Sequence, residues 1–157
     1  MTTSSIITLH VIFALAAMGL GPAIFLRTKG DRLHRHLGRV FLFAMAGVDL
    51  TGFGIYEFTG GPSLFHGLAL LNAVFLWRGY LAARRGAIAV HLSEMAYGYA
   101  ALFAALGSRL PELLPDWPFA LALSLGIAAP LLLTAAILRR VTRLRRPRLG
   151  QSSASNS

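Results

Sequence analysis

Long apolar stretches are the feature of this sequence that most constrains its fold. Five of them approach the ~20 residues that an α-helix needs to cross a bilayer. Because a backbone inside hydrocarbon must satisfy its own hydrogen bonds, these stretches predict an all-α, polytopic membrane helix bundle. The predicted spans are at about residues 6–26, 37–58, 64–83, 90–106 and 119–138.

The composition agrees with a membrane location. The chain is 55% hydrophobic and 13% charged, against about 25% charged residues in soluble domains. It contains no cysteine, which excludes disulfides, thiolate metal sites, iron–sulfur clusters and covalent haem attachment. The net charge of +9 could suit nucleic acid, but the basic residues flank the apolar stretches, so we expect no nucleic-acid partner.

Basic residues also predict the topology. All but one of the 15 lysines and arginines lie in or near the first loop, the third loop and the C-terminal segment, and the exception is Arg109. The positive-inside rule then places the N-terminus outside and the C-terminus in the cytoplasm, in a bacterial inner membrane. We expect residues 1–138 to form the transmembrane domain, and residues 139–157 to form a basic, Ser-rich cytoplasmic tail.

The bilayer is the first expected partner. The basic tail could bind anionic lipid or act as a topology anchor alone, and the sequence favours neither. A homodimer and an unidentified redox partner stay open.

Histidines recur at matched positions in two halves of the chain. His10 and His66 each lie 20 residues before a glycine that follows a basic residue, and His34 and His91 come after those glycines. Two parallel hairpin repeats predict a four-helix core with a fifth helix added. In such a core the first helix lies diagonally opposite the third, and the second opposite the fourth.

The histidines are the predicted site. A histidine inside an apolar membrane helix costs free energy, so we expect such a residue to have a function. Imidazole is a common metal ligand. The topology pairs His10 with His66 near the outer ends of their spans, and His34 with His91 near the inner ends. Two pairs at two depths indicate two haem b groups, each held by two histidines. His36 is the alternative to His34, because a spacing of two turns them to different faces of a helix.

Small residues near the histidines fit the same hypothesis. A flat macrocycle needs small residues where it meets a helix. Gly21 shares a face with His10, and Gly98 lies near the face of His91. Glycine also promotes plain helix packing, so these residues support haem only slightly.

Two acidic residues fall inside predicted spans. Asp49 lies near the middle of the second span, where it could serve as a proton relay or contact a quinone, with Asn72 as a hydrogen-bond partner. Glu94 lies one turn after His91, where it could orient that imidazole or pair with an arginine.

Two segments carry a family resemblance. Residues 34–39, preceded by Lys29-Gly30, resemble the H-R-x-L-G-R signature of small predicted bacterial membrane proteins of unknown function. Residues 85–95 are similar to that family's second basic-glycine-histidine segment, and the resemblance covers roughly residues 8–106. The layout also resembles the diheme transmembrane cytochrome b superfamily, which implies four core helices and two diagonal histidine pairs.

The sequence therefore predicts a diheme b-type cytochrome-like oxidoreductase that moves electrons across the bilayer. One alternative is a small proton-coupled transporter or channel that uses Asp49 and Glu94. Another is a non-catalytic membrane assembly subunit whose histidines only form hydrogen bonds. The sequence has neither a glycine-rich phosphate loop nor an H-E-x-x-H motif.

Overall fold

A computed structural model of the chain describes residues 3–55, 61 and 64–144. Within these ranges the chain forms helices and no β-strand, so the predicted all-α class is confirmed there. The ends of the predicted second span and of the predicted tail, residues 56–58 and 145–157, lie outside the described residues. The helices are α1 (Thr3–Leu26), α2 (Arg32–Gly52), α3 (Leu64–Arg84), α4 (Ile88–Gly107), α5 (Leu110–Leu113) and α6 (Phe119–Leu144).

The loop between α1 and α2 is shorter than the sequence analysis predicts, because α2 begins at Arg32 rather than near Leu37. Asp31 caps the helix: its carboxylate accepts a hydrogen bond from the backbone N–H of His34. This bond holds the pKa of Asp31 below its usual range. Gly30 precedes the cap with a φ of 84°, a left-handed conformation that favours glycine. His34 therefore lies in the first turn of α2.

The turn between α3 and α4 has a matching glycine. Gly86 has a φ of 72°, and the backbone N–H of Ala87 donates to the Ala82 carbonyl oxygen at 2.9 Å. The Gly86 N–H donates to the Ala83 carbonyl oxygen at 3.2 Å. Together these bonds form a Schellman motif, which ends α3. Both glycines of the sequence repeat thus adopt the left-handed backbone that the turns require.

The last helix extends beyond the predicted span. α6 continues to Leu144, through residues assigned to the tail by the sequence analysis, because no further proline stands in the chain before Pro147. The preceding segment, predicted as a loop, contains the one-turn helix α5.

The helices pack mainly in consecutive pairs. α1 packs on α2, α3 on α4, and α4 on α6, whereas the α2–α3 and α1–α4 contacts are smaller. The core lies where the first four helices meet, and its buried residues are Ala17, Phe41, Ala44, Met45, Val48, Leu76 and Leu102.

Glycines set the closest approaches between helices. Gly107 of α4 and Gly126 of α6 lie against each other, so that a Cβ at either one would overlap the carbonyl group of the other. A Cβ at Gly47 of α2 would lie 2.6 Å from the ring of Phe13 on α1. Close contact through small residues is typical of helix pairs in membranes, where apolar burial does not drive association.

Two of the described helices are long and apolar enough to cross a membrane. They are the segments Ser4–Leu26 of α1 and Phe119–Val141 of α6, and most of their residues are not buried by the protein. The helices α2, α3 and α4 are less apolar, because they also carry charged residues such as Asp49, Arg78 and Glu94. The number of five spans stays a prediction.

Candidate functional site

Residues 27–31 and 85–87 lie at one end of the bundle, which we call the basic end. Two of the predicted histidines lie close together there. The rings of His34 on α2 and His91 on α4 have centroids 6.5 Å apart and planes inclined at 79°. Nδ1 of His91 lies 2.9 Å from the carbonyl oxygen of Gly79 on α3. Because a carbonyl only accepts, Nδ1 carries the proton and Nε2 carries the lone pair.

The other ring of this pair has an unused nitrogen. Nδ1 of His34 is buried and has no hydrogen-bond partner in the part of the chain that the structure describes. Gly38 follows one turn later, and no atom lies within 4 Å of the position that its Cβ would take. Open space therefore lies along the helix face that carries His34.

The separation of the two rings is close to that of two imidazoles bound to one metal. Metal–nitrogen bonds of about 2.0–2.1 Å on opposite sides of one metal would place the ring centroids roughly 6 Å apart. The observed centroid separation is 6.5 Å. Among the described residues, no group of three or more His, Cys, Asp or Glu side chains could hold a metal ion. The donor set of two imidazoles fits haem, because the porphyrin supplies the remaining nitrogen ligands.

The other predicted pair lies at the opposite end of the bundle, beside the C-terminal end of α2. Nδ1 of His10 lies 3.1 Å from the carbonyl oxygen of Val48 and 3.0 Å from Oγ1 of Thr51. The ring of His66 lies 5.9 Å, centroid to centroid, from the ring of Phe53. His10 therefore contacts the last turn of α2, and His66 contacts the residue that follows this helix.

His10 and His91 share one hydrogen-bonding pattern. In each ring Nδ1 donates to a backbone carbonyl of the neighbouring helix in its hairpin, Val48 for His10 and Gly79 for His91. The bond fixes the tautomer and the ring orientation, and it leaves Nε2 as the atom that could bind a metal.

The glycines predicted to face a macrocycle lie against protein side chains instead. A Cβ at Gly21 would overlap the ring of Tyr99, whose hydroxyl donates to the Met18 carbonyl oxygen at 2.9 Å. A Cβ at Gly98 would lie 2.9 Å from Cδ2 of Leu76. Both glycines thus serve helix packing in this structure.

The predicted acidic residues are buried between the helices. Asp49 is 7% exposed and Asn72 is 5% exposed. The Asn72 amide nitrogen donates to both carboxylate oxygens, at 3.0 and 3.2 Å. The expected hydrogen bond between these two residues is confirmed.

Glu94 pairs with an arginine. Its Oε1 lies 3.0 Å from Nη2 of Arg78, so of the two roles considered for Glu94 the structure contains the ion pair, with an arginine of α3. The group that orients His91 is the backbone of Gly79. No side-chain pattern could have identified a backbone carbonyl as that partner.

The sequence matches the family described as predicted membrane protein (DUF2306) over residues 7–142. The chain belongs to this family. The match reaches every helix described above, and it confirms the membrane location and the resemblance to predicted membrane proteins of unknown function. No curated protein and no solved structure matches the chain.

The H-R-x-L-G-R segment begins the second helix of this DUF2306 protein. Residues 34–39 form the first turns of α2, directly after the Asp31 cap. The motif's first residue, His34, contacts His91, and Gly38 leaves the open space beside it. His36, the alternative ligand, is exposed.

Proposed function

We propose that this protein is a b-type cytochrome-like membrane protein that transfers electrons across the bilayer, with histidines of alternate helices as the haem ligands. The observation that carries the proposal is the approach of His34 and His91 from two different helices to a ring-centroid separation of 6.5 Å. The centroid separation is close to that of two imidazoles on one iron, and Nε2 of His91 carries the lone pair that ligation would use.

The proposal takes α1 to α4 as a four-helix core. Each of these helices contacts the next one in the chain, and α1 also contacts α4, so the four can close into a ring. In that ring α2 and α4 face each other across the interior, which explains how His34 and His91 reach the same point. α6 packs outside this core, on α4.

The residues around the inner pair have defined tasks in this proposal. The Gly79 carbonyl holds the His91 ring and raises the basicity of its Nε2. Haem, when bound, supplies a one-electron carrier whose potential depends on its ligands and on how dry its surroundings are. Between the two histidine levels, the buried side chains include the apolar Met45 and Leu76 as well as the polar Asp49 and Asn72.

A second haem site at His10 and His66 completes the proposal. It is supported by the position of both rings at the C-terminal end of α2 and by the Nδ1 donation of His10. His66 lies 13 residues before Gly79 on α3, which is roughly 20 Å along the helix axis. Electrons would therefore pass between two centres in different halves of the membrane.

We further propose that five spans place the basic end at the cytoplasmic face of a bacterial inner membrane. The support is the clustering of basic residues at that end. Anionic lipid headgroups are the expected partners of these residues.

The test is a reduced-minus-oxidised absorption spectrum of the purified protein, expressed with adequate haem supply. We expect the bands of a b-type cytochrome. Absence of haem bands would remove the proposal. Elemental analysis of the same sample distinguishes iron from zinc or copper, which the same imidazoles could bind.

A further inference from the structure

A second polar site lies inside the bundle, away from the histidine pairs. Asp49 of α2, Asn72 of α3 and Glu94 of α4 are each at most 7% exposed. Buried polar side chains in membrane helices are costly and mark function. Two oxygen atoms of this site, Oδ1 of Asn72 and Oε2 of Glu94, are buried without a hydrogen-bond partner within the described ranges. Both atoms accept hydrogen bonds, so each of them lacks a hydrogen-bond donor.

The contacts of Asp49 indicate its protonation state. Both of its hydrogen bonds come from the same amide nitrogen of Asn72, and none of the ion pairs within the described residues includes Asp49. An ionised carboxylate in a dry interior needs more compensation than one amide group. A neutral carboxylic acid needs one acceptor for its hydroxyl, and Asn72 Oδ1 is an unpartnered acceptor on the side chain that already binds Asp49.

We propose that Asp49 is a proton-binding site inside the membrane domain, held as a neutral acid by Asn72, and that Glu94 connects it to the protein surface. In this state the Asn72 amide group is turned over, so that Oδ1 takes the place of the amide nitrogen 3.0 Å from Asp49 and accepts a hydrogen bond from the Asp49 hydroxyl. The amide nitrogen then faces α4, and the pair of Asp49 and Asn72 carries no net charge.

Other charged groups around Asp49 are engaged elsewhere. α1 carries one titratable side chain, His10, which binds the end of α2. On α3, Arg78 pairs with Glu94. On α2 itself, the other charged residues lie within the first eight positions. The remaining titratable side chains of α3 lie toward its two ends, and they are His66, Tyr80 and Arg84.

Glu94 provides the route outward. Oδ1 of Asn72 would lie 3.4 Å from a Cβ at Gly98, and Glu94 stands one turn before Gly98 on α4, about 6 Å along the axis. The other carboxylate oxygen of Glu94, Oε1, binds Arg78, whose side chain is 62% exposed. A water molecule that accepts the Asp49 proton and donates one to Oε2 of Glu94 would complete the transfer, with atoms and charge conserved.

Infrared spectroscopy of the purified full-length protein at neutral pH tests the proton on Asp49. A protonated carboxylic acid has a carbonyl stretching band that is separate from those of carboxylates and that shifts in D₂O. We expect this band in the wild type and in Asp116→Asn, a control at an exposed loop residue. We expect no band in Asp49→Asn. Absence of the band from the wild type, or its persistence in Asp49→Asn, would overturn the proposal.

A second variant keeps the test valid if Asp49→Asn fails to fold. Asn72→Ala removes the acceptor but leaves the acid, so the Asp49 band should move to the higher frequency of a carboxylic acid without a hydrogen-bonded partner. An unchanged band would show that Asn72 does not hold the proton in place.

The route is tested by the rate at which the Asp49 band shifts after transfer into D₂O. We expect Glu94→Gln to slow this exchange about tenfold or more, and Glu112→Gln, an exposed acid, to leave it unchanged. Equal rates in wild type and Glu94→Gln would contradict the route. These measurements detect a proton and not haem, so their outcome is independent of the proposed function.

Discussion

The two ends of the bundle carry histidines at matched sequence positions but use them differently. At the basic end, His34 and His91 approach each other from α2 and α4. At the opposite end, His10 is bonded to α2, and His66 lies beside Phe53. Equal spacing in sequence therefore fixes the depth of a side chain in the bundle. The rotation of each helix about its axis determines which residues that side chain contacts.

The largest expected effect separates the two ends by haem content. His91→Ala removes one of two opposed ligands at the basic end, so it should lower the haem bound per chain by about half. His10→Ala should do the same at the other end, and the double variant should bind none. Haem extracted from protein of known concentration gives the measurement.

His36→Ala is the matched control for that series, because His36 is exposed and lies two residues from His34. Its haem content should equal that of the wild type. If His36→Ala lost haem and His34→Ala did not, the assignment of the inner ligand would be wrong.

Gly79→Ala should perturb only the basic end. The added Cβ would overlap Cε of Met95, at the end of a flexible side chain that can turn aside, and would lie 3.1 Å from Cβ of Glu94. The tight contact with Glu94 therefore requires a small shift of α3 away from α4. Overpacking of this kind costs about 1–3 kcal/mol. The shift also moves the carbonyl that holds His91.

Thermal unfolding in detergent measures the stability change, and the reduced-minus-oxidised bands report the inner site. Gly19→Ala is the control, since Gly19 also lies inside a helix and nothing lies within 4 Å of its Cβ position. Equal stability of the Gly79 and Gly19 variants would contradict the packing described for α3 and α4.

Thr51→Val tests the opposite end with a smaller change. It keeps the side-chain shape but removes Oγ1, which lies 3.0 Å from Nδ1 of His10. Since Nδ1 keeps the Val48 carbonyl as a partner, the free energy of unfolding should fall by about 1 kcal/mol or less. Thermal unfolding is the measurement, and an effect on the inner haem bands would show that the two ends are coupled.

The smallest effect concerns the cap that positions His34. The bond from the His34 N–H lowers the pKa of Asp31 in the folded protein, so the ionised carboxylate stabilises the fold at neutral pH. This contribution is present above the unfolded pKa of about 4. It is lost as the pH falls through the lower folded pKa.

Asp31→Asn keeps a capping side chain without the titration. The difference in unfolding temperature between wild type and Asp31→Asn should therefore change below about pH 4 and stay constant above pH 6 or so. A constant difference over the whole range would mean that the cap does not titrate.

The sequence predicted the helices well because apolar stretches of span length leave the chain few other structures. The start of α2 was predicted too late, although Asp31 after Gly30 is a recognisable cap signal. The end of α6 was predicted too early, because its last two turns are polar and were assigned to the tail.

The site was harder to predict where helix rotation matters. The hydrogen bond between Asp49 and Asn72 followed from their burial in adjacent spans. The choice of Arg78 as the partner of Glu94 depends on which faces of α3 and α4 meet. The space beside Gly21 is filled by Tyr99, from a helix distant in sequence, and spacing alone carries no information on such a contact.

The most direct test of the central claim is the electron paramagnetic resonance spectrum of the oxidised, purified protein. Two imidazoles on one iron, with ring planes inclined at 79° as in the His34–His91 pair, should give a low-spin ferric signal that His91→Ala removes, while the signal of the proposed His10–His66 centre remains. A protein without haem, or a high-spin signal that is the same in wild type and His91→Ala, would contradict the account.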